Sequence, residues 1–447
     1  MSKKIGGVCA LAGLCALSLF LLNCGSSSSR PAGALYVLTQ GSGGVGNNVT
    51  SYAIDLSSGN LSLINSSAST CTTQGTSCGP PLDIVLDPAG TAAFVLNQGV
   101  PFSGIAPTIY GYTINSDGSF GAPNVAATLT AGDTAVAMTR DAAGQYLFVI
   151  DQGTDPSAAN CQYQPLNNPP LPNIQCASIS VFSMQAGSNS LTAVAGSPFP
   201  LGRIPTALSA IAFTPASSAV LPCASPTEFL FVTFNSDPAV HNDNTLSAYC
   251  IDPTGKPNDL TPNQPYATTT DPLSVVAVNT NQVGQNNVGG VFVYVGSQPT
   301  AAGALNIFEM CTVIDSLCTS QDVTNALLKP VTTPPPPSPG ANPVAMLVDS
   351  TNTFLYVVCE GSSQVFGYKI ATTSGTLTAT SPANEPTGST PVALAMHPSI
   401  KSSGAFLYTS NSRSSNISGF SVNTTTGSMS NPITVSSPSV PSGMAAR

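Results

Sequence analysis

The chain has 447 residues, of which only 7% are charged, with 11 basic and 20 acidic side chains and a net charge of −9. Lys and Arg cluster nowhere, which excludes nucleic-acid binding, because that needs several cations facing one phosphate backbone. A hydrophobic content of 42%, with 39 Gly and 39 Pro, describes a chain that can bury a large core and turns often.

Lys3 and Lys4 precede an uncharged apolar run from Ile5 to Leu22. A basic start followed by such a stretch reads as an export signal over residues 1–23 rather than as a membrane-spanning helix. Leu21-Leu22-Asn23-Cys24, followed by Gly25 and a serine tract, resembles a bacterial lipobox. On that reading Cys24 carries lipid and residues 24–33 form a flexible tether. Asn23 stands where Gly or Ala is usual, and an ordinary signal peptide is the alternative. The expected location is the bacterial cell envelope, held by the lipid at the outer membrane, or otherwise periplasmic or secreted.

Cysteine usage agrees with export. Eight of the remaining cysteines fall into local pairs, giving the expected bridges Cys71–Cys78, Cys161–Cys176, Cys223–Cys250 and Cys311–Cys318. Cys359 is left over, directly after an apolar run, and reads as a small buried hydrophobe rather than a nucleophile. No spacing matches a zinc motif, so no metal and no cofactor are expected.

From Ala34 onward the sequence repeats. Seven apolar–aromatic strand cores recur: Leu35-Tyr36-Val37, Ala93-Phe94-Val95, Leu147-Phe148-Val149, Leu230-Phe231-Val232, Val293-Tyr294-Val295, Leu355-Tyr356-Val357 and Leu407-Tyr408-Thr409. Each is followed by a strand with a second aromatic, the first at Tyr52 and the last at Phe420. Gly-x-apolar turns such as Gly59-Asn60-Leu61 and Gly375-Thr376-Leu377 then open a further strand. Ahead of the cores lie alternating segments often opened by proline: Pro81 to Leu86, Ala135 to Met138, Leu208 to Phe213, Leu273 to Val278, Pro343 to Val348 and Pro391 to Met396. Only six of these precede a core, and Pro441 to Arg447 supplies the seventh at the far end. The expected fold is therefore all-β, a seven-bladed β-propeller of four-stranded antiparallel blades over 34–447, with the last strand completing the first blade.

Insertions between the second and third strands of a blade fall at Thr39 to Asn48, Asn97 to Thr108, Asp151 to Ser178, Asn235 to Thr245 and Gly296 to Ala304. Those connections share one face with the links between blades, to which Ser69 to Pro80 and Thr319 to Asn342 are assigned. Long loops on one end of a rigid scaffold mark a binding face.

Blades such as Asn342-Pro343-Val344-Ala345, Phe354-Leu355-Tyr356-Val357, Val365-Phe366-Gly367-Tyr368 and Gly375-Thr376-Leu377 resemble the lactonase family of seven-bladed propellers, which includes 6-phosphogluconolactonase and the muconate cyclases. The resemblance covers the whole chain after the tether and implies lactone hydrolysis. The family's site blade reads Gly-Pro-Arg-His before its first strand and Asn-Glu after its second. Here the corresponding stretches are Gly202-Arg203-Ile204-Pro205 and Phe234-Asn235-Ser236-Asp237, and a glutamate follows a second strand only at Cys359-Glu360. Opening a lactone takes a base for water and a cation or donor set for the oxyanion. His241, Glu360 and Arg203 are the catalytic candidates, and Asp151, Asp237 and Arg413 the ligand-binding ones. His241 can equally be an exposed bystander. His397, before a proline, belongs to the opposite face, and Asp87, Asp141 and Asp349 cap turns there. Two functions follow: a monomeric, lipid-anchored envelope propeller that offers its loop face to a protein or glycan, or a divergent lactonase acting on a small sugar-derived acid.

Overall fold

The computed structural model describes residues 33–41, 47–70, 78–100, 105–129, 134–153, 177–201, 203–215, 219–223, 228–235, 244–260, 265–281, 289–397 and 405–447. They form seven antiparallel sheets in a ring. Six blades take their strands consecutively. The first combines Ala34–Gln40, Asn48–Ile54 and Leu61–Ser69 with the C-terminal strand Val440–Ala446 on its inner edge, which closes the ring. Tyr36 faces Ala445 and Val37 faces Met444 across that seam.

The centre of every second strand is apolar because a blade in a ring is covered on both sides. Phe354–Cys359 and Glu228–Phe234 are buried at every position, as expected for strands without a wet face. The core is accordingly not one mass but seven layers, each between two neighbouring blades. Leu35, Val37 and Tyr52 of the first blade meet Phe406, Tyr408 and Ile417 of the seventh in the layer that joins the ends.

A second device locks neighbours. At three of the seven seams a glycine in the c–d turn, between the third and fourth strands, lies against a phenylalanine of the preceding blade, and a tyrosine two residues after that phenylalanine donates to the glycine carbonyl. Tyr294 bonds Gly375 at 2.8 Å, Tyr356 bonds Gly427 at 3.0 Å and Tyr408 bonds Gly59 at 2.7 Å. The Gly-x-apolar turn in the sequence is thus a socket for the Phe-x-Tyr of the blade before it.

The inner strands face the central channel. Their opening prolines are tolerated because a first residue on an edge strand needs no ladder donor. All seven inner strands are irregular near their start: the register shifts between Pro81 and Asp83, between Pro205 and Ala207, and at the equivalent place in each other blade.

Three expectations are corrected. The fourth blade's inner strand spans Pro205–Ala212 rather than Leu208 to Phe213, since Pro205 already pairs with Phe234. The outer strand is broken into two short pieces in blades three and four and is Leu328–Pro330 in blade five. Thr319 to Leu327 therefore precedes that strand and lies on the face opposite the long loops, where it forms a short helix, Ser320–Asn325. Only the link from Val331 to Asn342 belongs to the loop face. The helix starts there because Thr319 and Asp322 cap each other reciprocally.

The Cys223–Cys250 and Cys311–Cys318 bridges are present, and both sit on the face opposite the long loops. Cys71, Cys161, Cys176, the signal segment, Cys24 and tether residues 24–32 lie outside the described residues, whereas Gly33 is buried against blade one. Among the described residues no helix is long and apolar enough to cross a membrane.

Candidate functional site

The connections between second and third strands and the links between blades share one face, and the channel opens there. Its cavity measures about 710 Å³ and is lined by inner strands of all seven blades, with Gln40, Ser412 and Val440 at the mouth. A ligand site of roughly 300–1,000 Å³ is ordinary for small molecules. Each inner strand is paired on one side only, so its other edge turns peptide N–H and C=O groups toward the channel. The lining is otherwise Val, Leu, Ala and Met with the hydroxyls of Thr139, Thr206 and the serines.

One residue departs from this neutrality. Two residues after Pro81 and its counterparts Ala135, Pro205, Pro272, Pro343, Pro391 and Pro441, four blades carry alanine (Ala137, Ala207, Ala345 and Ala393), one carries Ser274 and one Gly443. Blade two carries Asp83, which is the one ionisable side chain in the lining among the described residues. Its Oδ2 accepts the Met138 N–H of blade three at 3.0 Å, and its Oδ1 accepts the Ile84 N–H at 2.8 Å. Burial pushes its carboxyl up to about 6, against the pull of those two donors. Gly443 lets the strand of blade one approach this one closely: a Cβ there would stand 2.7 Å from the Leu82 carbonyl and 3.2 Å from the Asp83 Cα. Asp83 is invisible to a search for residues that the blades share. It stands out only as the position where one blade differs from the other six.

Four expected site residues lie on the same face, but apart. Arg203, in the link into blade four, is committed. Its guanidinium stacks 4.1 Å from the Phe234 ring centroid and donates to Thr245 Oγ1 at 2.8 Å and Ser247 Oγ at 2.6 Å. Asp151 ends the second strand of blade three, fully buried, and accepts from Ser178 Oγ at 2.6 Å. Glu360 and Arg413 sit in the second-to-third strand hairpins of blades six and seven, Glu360 half-buried and Arg413 exposed. Blade five and the channel mouth separate this pair from Arg203. His241 and Asp237 lie outside the described residues.

On the opposite face the other expectations hold. His397 is buried in the first turn of blade seven. Asp87 caps its turn through Thr91 and Ala92, and Asp349 through Thr353 and Phe354. Asp141 accepts from Tyr146. Cys359 is buried and reduced, and burial pushes its thiol up to about 12, so it is inert as a nucleophile at neutral pH. Glu309, Asp315 and Cys318 place ligand atoms within 4.8 Å of one another. Cys318 is tied to Cys311, however, so its sulfur is not a thiolate that could hold a metal.

These features define a seven-bladed β-propeller closed by its C-terminal strand, with a channel whose described lining carries a single carboxylate. No family model matches the chain and no curated protein matches it. Its fold is that of lactonase-like propellers. A periplasmic gluconolactonase from Pseudomonas aeruginosa superposes with a TM-score of 0.57 at 14% identity, over 93% of this chain and 98% of that one. A 6-phosphogluconolactonase-like protein from Bacteroides uniformis gives 0.57 at 12% identity, over 93% and 99%. A hypothetical selenium-binding protein from Sulfolobus tokodaii gives 0.54 at 8% identity, over 92% of each.

Proposed function

We propose that the chain is an exported envelope protein, anchored through an acylated Cys24, that presents its loop face to a glycan. The channel mouth is the observation that carries this reading. It offers hydroxyls and inner-strand peptide groups for a hydroxyl-rich ligand, and its described lining has no Lys or Arg to hold a phosphorylated one. The catalytic candidates Arg203 and Glu360 stand on different blades, and Arg203 is already engaged by Phe234, Thr245 and Ser247. The anchor is tested by lipid labelling of the full chain and its Cys24→Ser variant; equal labelling would sink it. Binding is tested on a glycan array, where a blank array refutes the reading.

A second reading is a lactone hydrolase, the activity named for two of the structural neighbours. Asp83 favours it, because a carboxyl held up to about 6 is a competent base for water near neutral pH. A lactone panel decides between them. Hydrolysis lost in Asp83→Asn, or in His241→Ala or Glu360→Ala, establishes the enzyme, and background rates throughout leave the binding reading.

A further inference from the structure

Three properties of the channel narrow the ligand. Its walls carry one carboxylate and, among the described residues, no cationic side chain, so any fixed charge that meets a ligand is negative. They carry no aromatic ring among the described residues, which removes the cation–π surface that a quaternary ammonium needs. They also present peptide carbonyls along unpaired strand edges, acceptors that suit a group with several N–H donors.

Resting on the glycan reading above, we infer that Asp83 is the anchor for a primary ammonium group on the ligand, as in a free amino sugar. A primary ammonium offers three donors. One would go to the carboxylate as a charge-assisted hydrogen bond, and the others to carbonyls of the neighbouring inner strands. The Asp83 carboxylate is held in place for this from two sides, by the Met138 and Ile84 N–H groups, so it does not need to be ordered when a ligand arrives. Those two donors use one lone pair on each oxygen and leave capacity on both. Gly443 packs its backbone directly against Leu82 and Asp83, which fixes the strand that carries the carboxylate. The remaining six blades have nothing comparable, which makes the site single in a ring of near-equivalent positions.

The chemistry is shared by amino sugars and by free polyamines, and the test separates them. The full-length protein is titrated calorimetrically at neutral pH with a glucosamine disaccharide, its N-acetylated counterpart, the plain glucose disaccharide and spermidine. The expected result is binding of the glucosamine disaccharide at least about tenfold tighter than either neutral sugar, a preference erased in Asp83→Asn. The amide introduced by that substitution keeps an acceptor for the Met138 N–H, and Asp83→Glu, which keeps the charge, should retain the preference. Equal affinity for charged and neutral sugars overturns the ammonium anchor and leaves the glycan reading standing. Binding of spermidine alone, lost in Asp83→Asn, supports the anchor and refutes the glycan. No binding of any probe in the millimolar range overturns both.

Discussion

Substituting Gly59 by alanine strikes the seam of the ring. Gly59 has φ +77°, and its carbonyl accepts the Tyr408 hydroxyl of the last blade. An added Cβ would stand 2.4 Å from Phe406 Cδ1 and 2.7 Å from Cε1. Phe406 is 3% exposed and wedged between blades, so the ring has nowhere to withdraw. The left-handed backbone alone costs a non-glycine residue about 1–2 kcal/mol. Overpacking against an immobile ring adds about 1–3 kcal/mol, and a displaced carbonyl weakens the tyrosine bond by about 1 kcal/mol. The expected loss is therefore about 3–6 kcal/mol, a large share of a domain's usual 5–15 kcal/mol. Gly187 is a built-in control, because it has φ +73° in the matching turn of blade three, with nothing within 4 Å of its added Cβ. Gly187→Ala should show the backbone cost alone. Urea unfolding of both variants reads the difference. Should the two lose the same stability, the socket for Phe406 contributes nothing and the account of ring closure by these turns is wrong.

Other outcomes can be checked with the same protein. The Asp83 carboxyl is held up to about 6 from its ordinary 3.8, so the folded state binds a proton there that the unfolded chain has already lost. Its contribution to stability is present below about pH 4 and fades as pH rises through 6, and Asp83→Asn should remove that slope from the stability–pH curve. Glu228, pushed up to about 8 by burial and by Asp141 beside it, should behave likewise, with Glu228→Gln flattening the curve between about pH 5 and 8; an unchanged slope refutes either assignment. Replacing Cys223 and Cys250 by serine opens a loop with a sequence separation of 27 and should cost about 3–4 kcal/mol, more than the Cys311–Cys318 pair with its separation of 7. Cys359 should resist alkylation in the folded protein and react on unfolding; rapid native labelling would contradict its burial.

The ring was legible because burial on both faces forces the second strand of every blade into an apolar run. Leu355-Tyr356-Val357 and its six counterparts each lie within an observed second strand. The completion of blade one by Val440–Ala446 was legible too, since an inner strand was missing at one end of the sequence and spare at the other. The outer strands were less readable. Exposed on the rim and free to break, they carry little periodic signal, as in Leu191–Ala193 and Phe199–Pro200. The helix after Cys318 was missed although Thr319-Ser320-Gln321-Asp322 has the spacing of reciprocal capping. A helix of 6 residues has too few turns to show an apolar face. Arg203 looked available because a sequence does not reveal that Phe234, Thr245 and Ser247 converge on it from two strands.

The two ends of the ring meet at one point. Ala34 and Arg447 exchange a pair of backbone hydrogen bonds, at 3.0 and 2.9 Å, on the side away from the channel mouth. Gly33 thus leaves the ring on the face opposite the channel mouth. A pull on that attachment runs along Ala34–Gln40, which is paired on both sides, by Asn48–Ile54 and by Val440–Ala446. Such a load shears two ladders together instead of peeling one open bond by bond. The seam that completes the circle is therefore also one that bears tension through two ladders.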